Sequence, residues 1–207
     1  MLKVETLTVG MGQANCYIIY DEMEALIVDP GAEANKNEHM IEKLGVKPVA
    51  IILTHTHYDH IGALDTVRDT YEVPVYVATE ENDWLMDPKR NLSGFVGNDV
   101  TARPAEENFD IGHQTSISNF NFTALPTPGH SPGGVSFVFA EDEFVITGDA
   151  LFAGSIGRTD FPGSSHEQLL SGIREQLFTL PDNYTIYPGH MGSSTIGKEK
   201  TSNPFFI

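Results

Sequence analysis

Thr54-His55-Thr56-His57-Tyr58-Asp59-His60 places three histidines and an aspartate within six residues, directly after the apolar run Val49-Ala50-Ile51-Ile52-Leu53. A short, continuous, β-branched run of this kind suits a strand buried on both faces. Imidazole suits zinc and other borderline metals, and a carboxylate widens the choice to iron or manganese. Ligands packed this closely cannot all face one way. His55 and His57 can converge on one ion, while Asp59 and His60, around the turn into the next helix, can point to a second.

Further along the chain, three more polar residues follow apolar runs. His130 stands in Leu125-Pro126-Thr127-Pro128-Gly129-His130, Asp149 in Val145-Ile146-Thr147-Gly148-Asp149, and His190 in Tyr187-Pro188-Gly189-His190. Each has a glycine just before it, which lets the backbone turn sharply at a crowded site. An isolated histidine or aspartate is usually a hydrogen-bonded residue or a helix cap, but three such positions beside the first cluster point to one metal centre. His39, His113 and His166 follow no strand and read as surface residues.

The surrounding pattern mixes strands and helices. Strands are expected in 3–9, 16–20, 24–31, 73–78, 119–130, 133–140, 143–152 and 184–190, from alternation or short apolar runs closed by turn residues. Helices are expected in 37–46, 61–71 and 164–180, the last with serine capping options. The stretch 79–112 reads as a short helix and a long irregular loop, of the kind that often serves as a lid or binding loop. A β-β-β-α-β-α pattern recurs roughly twice, which suggests two sheets face to face with helices outside.

At 207 residues, 40% of them hydrophobic, the chain suits a single domain over residues 1–207. It has no apolar run of transmembrane length, and Met1-Leu2-Lys3-Val4 opens a strand rather than a signal peptide, so a soluble, cytoplasmic protein with no membrane partner is expected. Twelve Lys and Arg against 29 Asp and Glu give a net charge of −17, which repels phosphate backbones and argues against a nucleic-acid partner. The sole cysteine, Cys16, excludes an intrachain disulfide and reads as a buried small hydrophobe. No feature of the sequence fixes an oligomeric state.

His55-Thr56-His57-Tyr58-Asp59-His60 resembles the HxHxDH hallmark of the metallo-β-lactamase superfamily, and His130, Asp149 and His190 match its further ligands in order and context. The resemblance covers essentially the whole chain. It implies an α+β fold, an αββα sandwich of two mixed sheets flanked by helices. It also implies that His55, His57 and His130 hold one divalent ion, that Asp59, His60 and His190 hold another, and that Asp149 bridges them. Zinc is the expected metal, with iron and manganese as alternatives. The segments Gly148–Ser164 and Ser194–Phe205 look like the glyoxalase II-like branch, which includes hydroxyacylglutathione hydrolases and short bacterial relatives.

That branch implies a small-molecule acyl thioester as substrate, S-lactoylglutathione or a similar compound, attacked by a metal-bridging hydroxide. Asp59 and Asp149 would be the catalytic carboxylates, Asp59 orienting the nucleophile. Thr54, Arg158 and Asp160 stand beside the ligands and are expected to support them or meet the substrate. The superfamily's β-lactamases often carry a cysteine near the position of Asp149, which disfavours antibiotic hydrolysis. Its flavodiiron members have glutamate at the position of His57, which disfavours a di-iron oxidase. Full-length glyoxalase II has a C-terminal glutathione-gripping domain, expected to be absent here because the chain ends soon after His190. The alternative is an iron-dependent persulfide dioxygenase of the same superfamily, with one iron on two histidines and one aspartate.

Overall fold

A computed structural model describes all residues, 1–207. The chain divides into two compact units, one of residues 1–109 with 116–120 and one of residues 110–115 with 121–207.

The first unit carries a six-stranded mixed sheet in the order β1 (Lys3–Val9), β2 (Ala14–Tyr20), β3 (Glu24–Val28), β4 (Lys47–Ile52), β5 (Val75–Val77) and β6 (Glu107–Asn108). The β1-β2-β3 meander is antiparallel, and β3, β4, β5 and β6 run parallel. Parallel neighbours need crossovers, and helix α1 (Ala34–Leu44) supplies one between β3 and β4. α1 ends on Gly45, whose backbone adopts φ 68° and whose N–H satisfies the carbonyls of Ile41 and Glu42. Alternate residues Cys16, Ile18, Ala25, Ile27 and Ile51 pack with Ile41 of α1 and with Leu64 and Val67 of helix α3 (Leu64–Tyr71). The intervening Tyr17, Ile19, Leu26, Val28 and Ile52 are equally buried, so the central strands have two apolar faces, as the unbroken run before His55 requires.

Between β4 and α3 lies a one-turn helix, α2 (Tyr58–Ile61). The sequence suggested one helix over 61–71, but the chain breaks at Gly62-Ala63, where the Ala63 N–H donates to the Pro30 carbonyl at 2.9 Å. Stretch 79–112 holds helix α4 (Thr79–Asn82), short 3-10 turns at Asp83–Met86 and Ser93–Phe95 and otherwise irregular chain, much as expected, except that it also supplies the two-residue edge strand β6.

The second sheet, also six-stranded and mixed, has the order β14 (Ser194–Thr195), β13 (Thr185–Pro188), β10 (Phe144–Gly148), β9 (Val135–Phe139), β8 (Phe120–Pro126) and β7 (Gln114–Ile117). β10 and β13 are parallel, and β8-β9-β10 is antiparallel. Helix α5 (His166–Gly172) provides the crossover and continues as one wider turn over Ile173–Leu177. The serine cap is Ser165, whose side chain accepts the Gln168 N–H at 3.3 Å. Leu169, Ile173 and Leu177 pack against Val138, Val145 and Ile186 of the sheet. The sequence reading had no counterpart for the short strands β6, β7 and β14 or for the closing helix α6 (Ile196–Ser202), and its strand over 143–152 divides into β10 and β11 (Leu151–Phe152), which forms a hairpin with the unforeseen β12 (Ser155–Ile156). No helix is long and apolar enough to cross a membrane.

Candidate metal centre

In the first unit the ends of parallel strands β3 and β4 deliver neighbouring polar segments. β3 runs into Asp29-Pro30-Gly31 and β4 into Thr54 through His60. The two are pressed together. A Cβ on Gly31 would fall 1.7 Å from the Asp59 carbonyl oxygen, so only glycine fits there. His55 and His57 meet edge to face with ring centroids 4.7 Å apart, and the His55 and His60 rings lie 4.2 Å apart. The Asp59 carboxylate stands 3.8 Å from His60 Nε2. Thus the sequence cluster does fold into one group of side chains, with His55, His57 and His60 buried and Asp59 at its partly open edge.

Asp29 organises this group. It is buried, and its backbone takes the left-handed φ of 49° that few non-glycine residues adopt. Its carboxylate accepts the Thr54 N–H at 2.8 Å and the Thr54 hydroxyl at 2.5 Å, and it lies 3.0 Å from His60 Nδ1. A carboxylate only accepts, so His60 Nδ1 carries the proton and Nε2 keeps its lone pair. The same reasoning extends to His55, whose Nδ1 lies 3.1 Å from the Thr54 oxygen. The Thr54 proton is spent on Asp29, so His55 Nδ1 is the donor and its Nε2 also keeps its lone pair. Asp29 therefore sets the tautomer of two histidines, the usual task of a carboxylate behind metal-ligating imidazoles. Asp29, His55 and His60 offer ligand atoms that all lie within 4.8 Å of one another, but the hydrogen bonds assign Asp29 the supporting place. Glu81, wholly buried on α4, is a second support. It accepts the Thr56 N–H at 2.6 Å and the Thr56 hydroxyl at 2.8 Å, fixing the residue between His55 and His57.

In the second unit the ends of β8, β10 and β13 lead to His130, Asp149 and His190. Asp149 Oδ2 lies 3.3 Å from His130 Nε2 and 3.4 Å from His190 Nε2. In a tetrahedral site with bonds of about 2.0–2.1 Å, donor atoms are separated by about 3.3–3.4 Å. Both spacings fit one ion per histidine with the carboxylate oxygen shared. His130 Nδ1 donates to the Arg158 carbonyl at 2.8 Å, which again turns Nε2 toward a metal. Gly157 permits this approach, because a Cβ there would sit 1.8 Å from the Asp149 carbonyl oxygen and 3.1 Å from His130 Nδ1. Phe161 faces His130 edge-on at 5.9 Å, and the Arg158 guanidinium covers Phe161 at 4.5 Å.

The side chains of Arg158 and Asp160 form a two-pronged ion pair at 2.9 and 2.8 Å, open to solvent. The Arg158 hydrogen bond holds the Asp160 carboxyl below the ordinary carboxylate range and raises Arg158 in return. Burial, and then the Asp59 charge, push the Tyr58 phenol up. Cys16 is buried and donates to Asn37 at 2.9 Å, and burial raises its thiol well above the ordinary value, which makes it an inert packing residue as expected. His39, His113 and His166 are exposed.

Sequence reasoning missed Asp29 and Glu81. Asp29 offered a usable signal, since it too is a polar residue ending an apolar strand. Glu81 lies among other acids in Thr79-Glu80-Glu81-Asn82 and offered none.

The family model for the metallo-β-lactamase superfamily matches residues 9–190. A probable metallo-hydrolase of Streptococcus pyogenes is 51% identical over all of this chain and 91% of its own length. The hydroxyacylglutathione hydrolase GloC of Haemophilus influenzae is 37% identical over 99% of this chain and 98% of its own. Among solved structures, the BLEG-1 B3 metallo-β-lactamase superposes with a TM-score of 0.96 at 40% identity, over 99% of this chain and 100% of its own. TTHA1623, crystallised in a di-iron-bound form, gives a TM-score of 0.86 at 32% identity, over 97% and 99%.

Proposed function

This chain belongs to the metallo-β-lactamase superfamily, has its fold and is a metallo-hydrolase, and from that premise we propose that it hydrolyses a small acyl thioester of the S-lactoylglutathione type. The observation that carries the reading is the likeness to a hydroxyacylglutathione hydrolase along nearly the full length of both chains.

In this reading His55, His57 and His130 hold one divalent ion, Asp59, His60 and His190 hold the second, and Asp149 is shared. Zinc is the proposed metal, and the di-iron form of TTHA1623 makes iron the first alternative. When bound, two such ions supply a water-derived nucleophile at neutral pH and a Lewis acid for the acyl oxygen. The chain does the rest. Asp29 and Thr54 hold His55 and His60 in the ligating tautomer, and the Arg158 carbonyl does the same for His130. Asp59, at the open edge of its cluster, orients the attacking water while it ligates. A thiol of pKa about 8.5 departs as thiolate, so no proton donor is required at the leaving group.

A β-lactam is the second reading, favoured by the resemblance to BLEG-1. There the leaving nitrogen needs a proton, a heavier demand on the same residues. The experiment is a steady-state assay of metal-replete protein with S-lactoylglutathione, other acyl thioesters and a chromogenic cephalosporin, run beside elemental analysis. Thioester turnover with two metals per chain is expected. Cephalosporin turnover alone, or persulfide-dependent oxygen uptake with one iron per chain, would replace the reading.

A further inference from the structure

A cavity of about 490 Å³ opens in the first unit against Asp59, within the size range of small-molecule sites. Its walls come from four places: the end of β1 and the turn after it (Val9 to Gly12), the Gly31–Glu33 turn after β3, the α2 segment with Tyr58, Asp59 and Gly62, and the irregular chain at 96–100. The apolar surface is supplied by Val9, Met11, Ala32, Val96 and Val100. Polar groups are few, chiefly Tyr58 and Asn98, and no lysine or arginine lines the cavity. The other carboxylate at its rim, Glu33, is paired with Lys36 at 2.9 Å. Gly12 lies where the cavity meets Asp59, and a Cβ there would stand 3.4 Å from Asp59 Oδ2.

Met11 and Val96 are exposed apolar residues. Exposed apolar side chains beside a cavity mark a surface that gains by being covered. A charged group carried into the apolar part of this cavity, away from the ion that Asp59 would hold, would lose its water without meeting a cation, which is costly, whereas an alkyl chain would lose nothing polar.

We propose that this cavity binds the acyl group of the substrate, and that this group is uncharged and mainly apolar, longer than lactoyl, with its carbonyl directed to the ion that Asp59 would hold. The inference rests on the thioester reading and deepens it. Substrate selection then resides in the acyl chain rather than in the anionic thiol carrier. Each methylene buried contributes about 0.8 kcal/mol, so kcat/KM rises about fourfold per carbon until the cavity is full.

The test has two arms on the same metal-replete protein. The first measures kcat/KM for straight-chain acyl esters, acetyl to octanoyl, of N-acetylcysteamine, a neutral thiol. The second follows methyl NMR signals of Met11, Val96 and Val100 on titration with hexanamide and, as control, adipamate, which carries a carboxylate at the far end of the same chain. The expected result is a rise along the series, with hexanamide but not adipamate shifting those methyls. In Met11→Asp/Val96→Asp, at two exposed positions, the rise should flatten and the hexanamide shifts should vanish, with metal content unchanged. Thioester turnover that ignores chain length, with no shift from hexanamide, overturns the proposal and leaves the thioesterase reading standing. Shifts from hexanamide without turnover of any thioester keep the cavity and overturn the thioesterase reading.

Discussion

His60 Nδ1 lies 3.0 Å from Asp29 Oδ2, with both side chains buried, and that same carboxylate holds the Thr54 hydroxyl that faces His55. One residue outside the ligand set therefore fixes two imidazoles. Asp29→Asn keeps the volume but replaces one accepting oxygen with a donor, so it cannot serve all three partners. Metal affinity is expected to fall about 10–100-fold, the usual effect of removing such a support. Competition against a chelator of known affinity measures it. Unchanged affinity would show that the two tautomers are set without Asp29.

Asp149 makes a second prediction. Its Oδ2 stands between His130 Nε2 and His190 Nε2 at 3.3 and 3.4 Å. A shared carboxylate offsets the repulsion of two cations, so Asp149→Ala should release at least one ion per chain and abolish turnover together. Elemental analysis of the purified variant decides the matter, and two retained metals would remove Asp149 from the centre. Chelation of the wild type should lower the unfolding midpoint, because an ion bound to the native state alone stabilises it by mass action.

How much of this was legible in the sequence follows from the physics of each element. The His55–His60 cluster was readable because an apolar strand feeding polar ligands is a local pattern, and the same rule found His130, Asp149 and His190 at the ends of β8, β10 and β13. The rule also covered Asp29, which was passed over because Asp-Pro-Gly reads equally as a turn. The break between α2 and α3 was hidden because its cause is distant, namely the Pro30 carbonyl and a Gly31 carbonyl only 2.3 Å from where a Gly62 Cβ would lie. The hairpin of β11 and β12 is two residues per strand, too short for any periodicity. Helix α6 is ordered by Glu199, a buried carboxylate that accepts from the Gly154 N–H at 2.8 Å and Asn203 at 2.9 Å, contacts 45 and 4 residues away.

Arg158 supplies a third prediction by separating backbone from side chain. Its carbonyl holds His130, whereas its guanidinium pairs with Asp160 in solvent and covers Phe161. Arg158→Ala keeps the carbonyl, so metal content and unfolding midpoint should stay as in the wild type. We place the side chain at the substrate mouth, so kcat/KM should fall. The Asp160 carboxyl is held low by Arg158, so the pair persists above the ordinary carboxylate pKa and is lost as pH falls through the depressed value. Both groups are exposed and screened, and acid stability should not change measurably on their removal. Unchanged kcat/KM in Arg158→Ala would leave a surface ion pair and nothing more.

The last prediction concerns Glu81 and Thr56. The carboxylate is buried and takes both the N–H and the hydroxyl of Thr56, the residue that separates His55 from His57. Hydrogen bonds to a charged group are worth about 1.5–3 kcal/mol, and a buried group left unsatisfied costs about 1–3 kcal/mol. Glu81→Gln should therefore destabilise the protein by about 1–3 kcal/mol, and Thr56→Val, which removes only the hydroxyl bond, by less. The two changes touch one interaction, so the double variant should be less destabilised than the sum, with a coupling of about 0.5–3 kcal/mol. Denaturant unfolding with chelator present isolates this term from metal binding. Metal affinity read separately tests the second half of the argument, since a loosened Thr56 backbone should weaken the ions held by His55 and His57. Strict additivity of the two substitutions would mean that Glu81 supports the fold elsewhere and that the spacing of the two histidines is set by the strand alone.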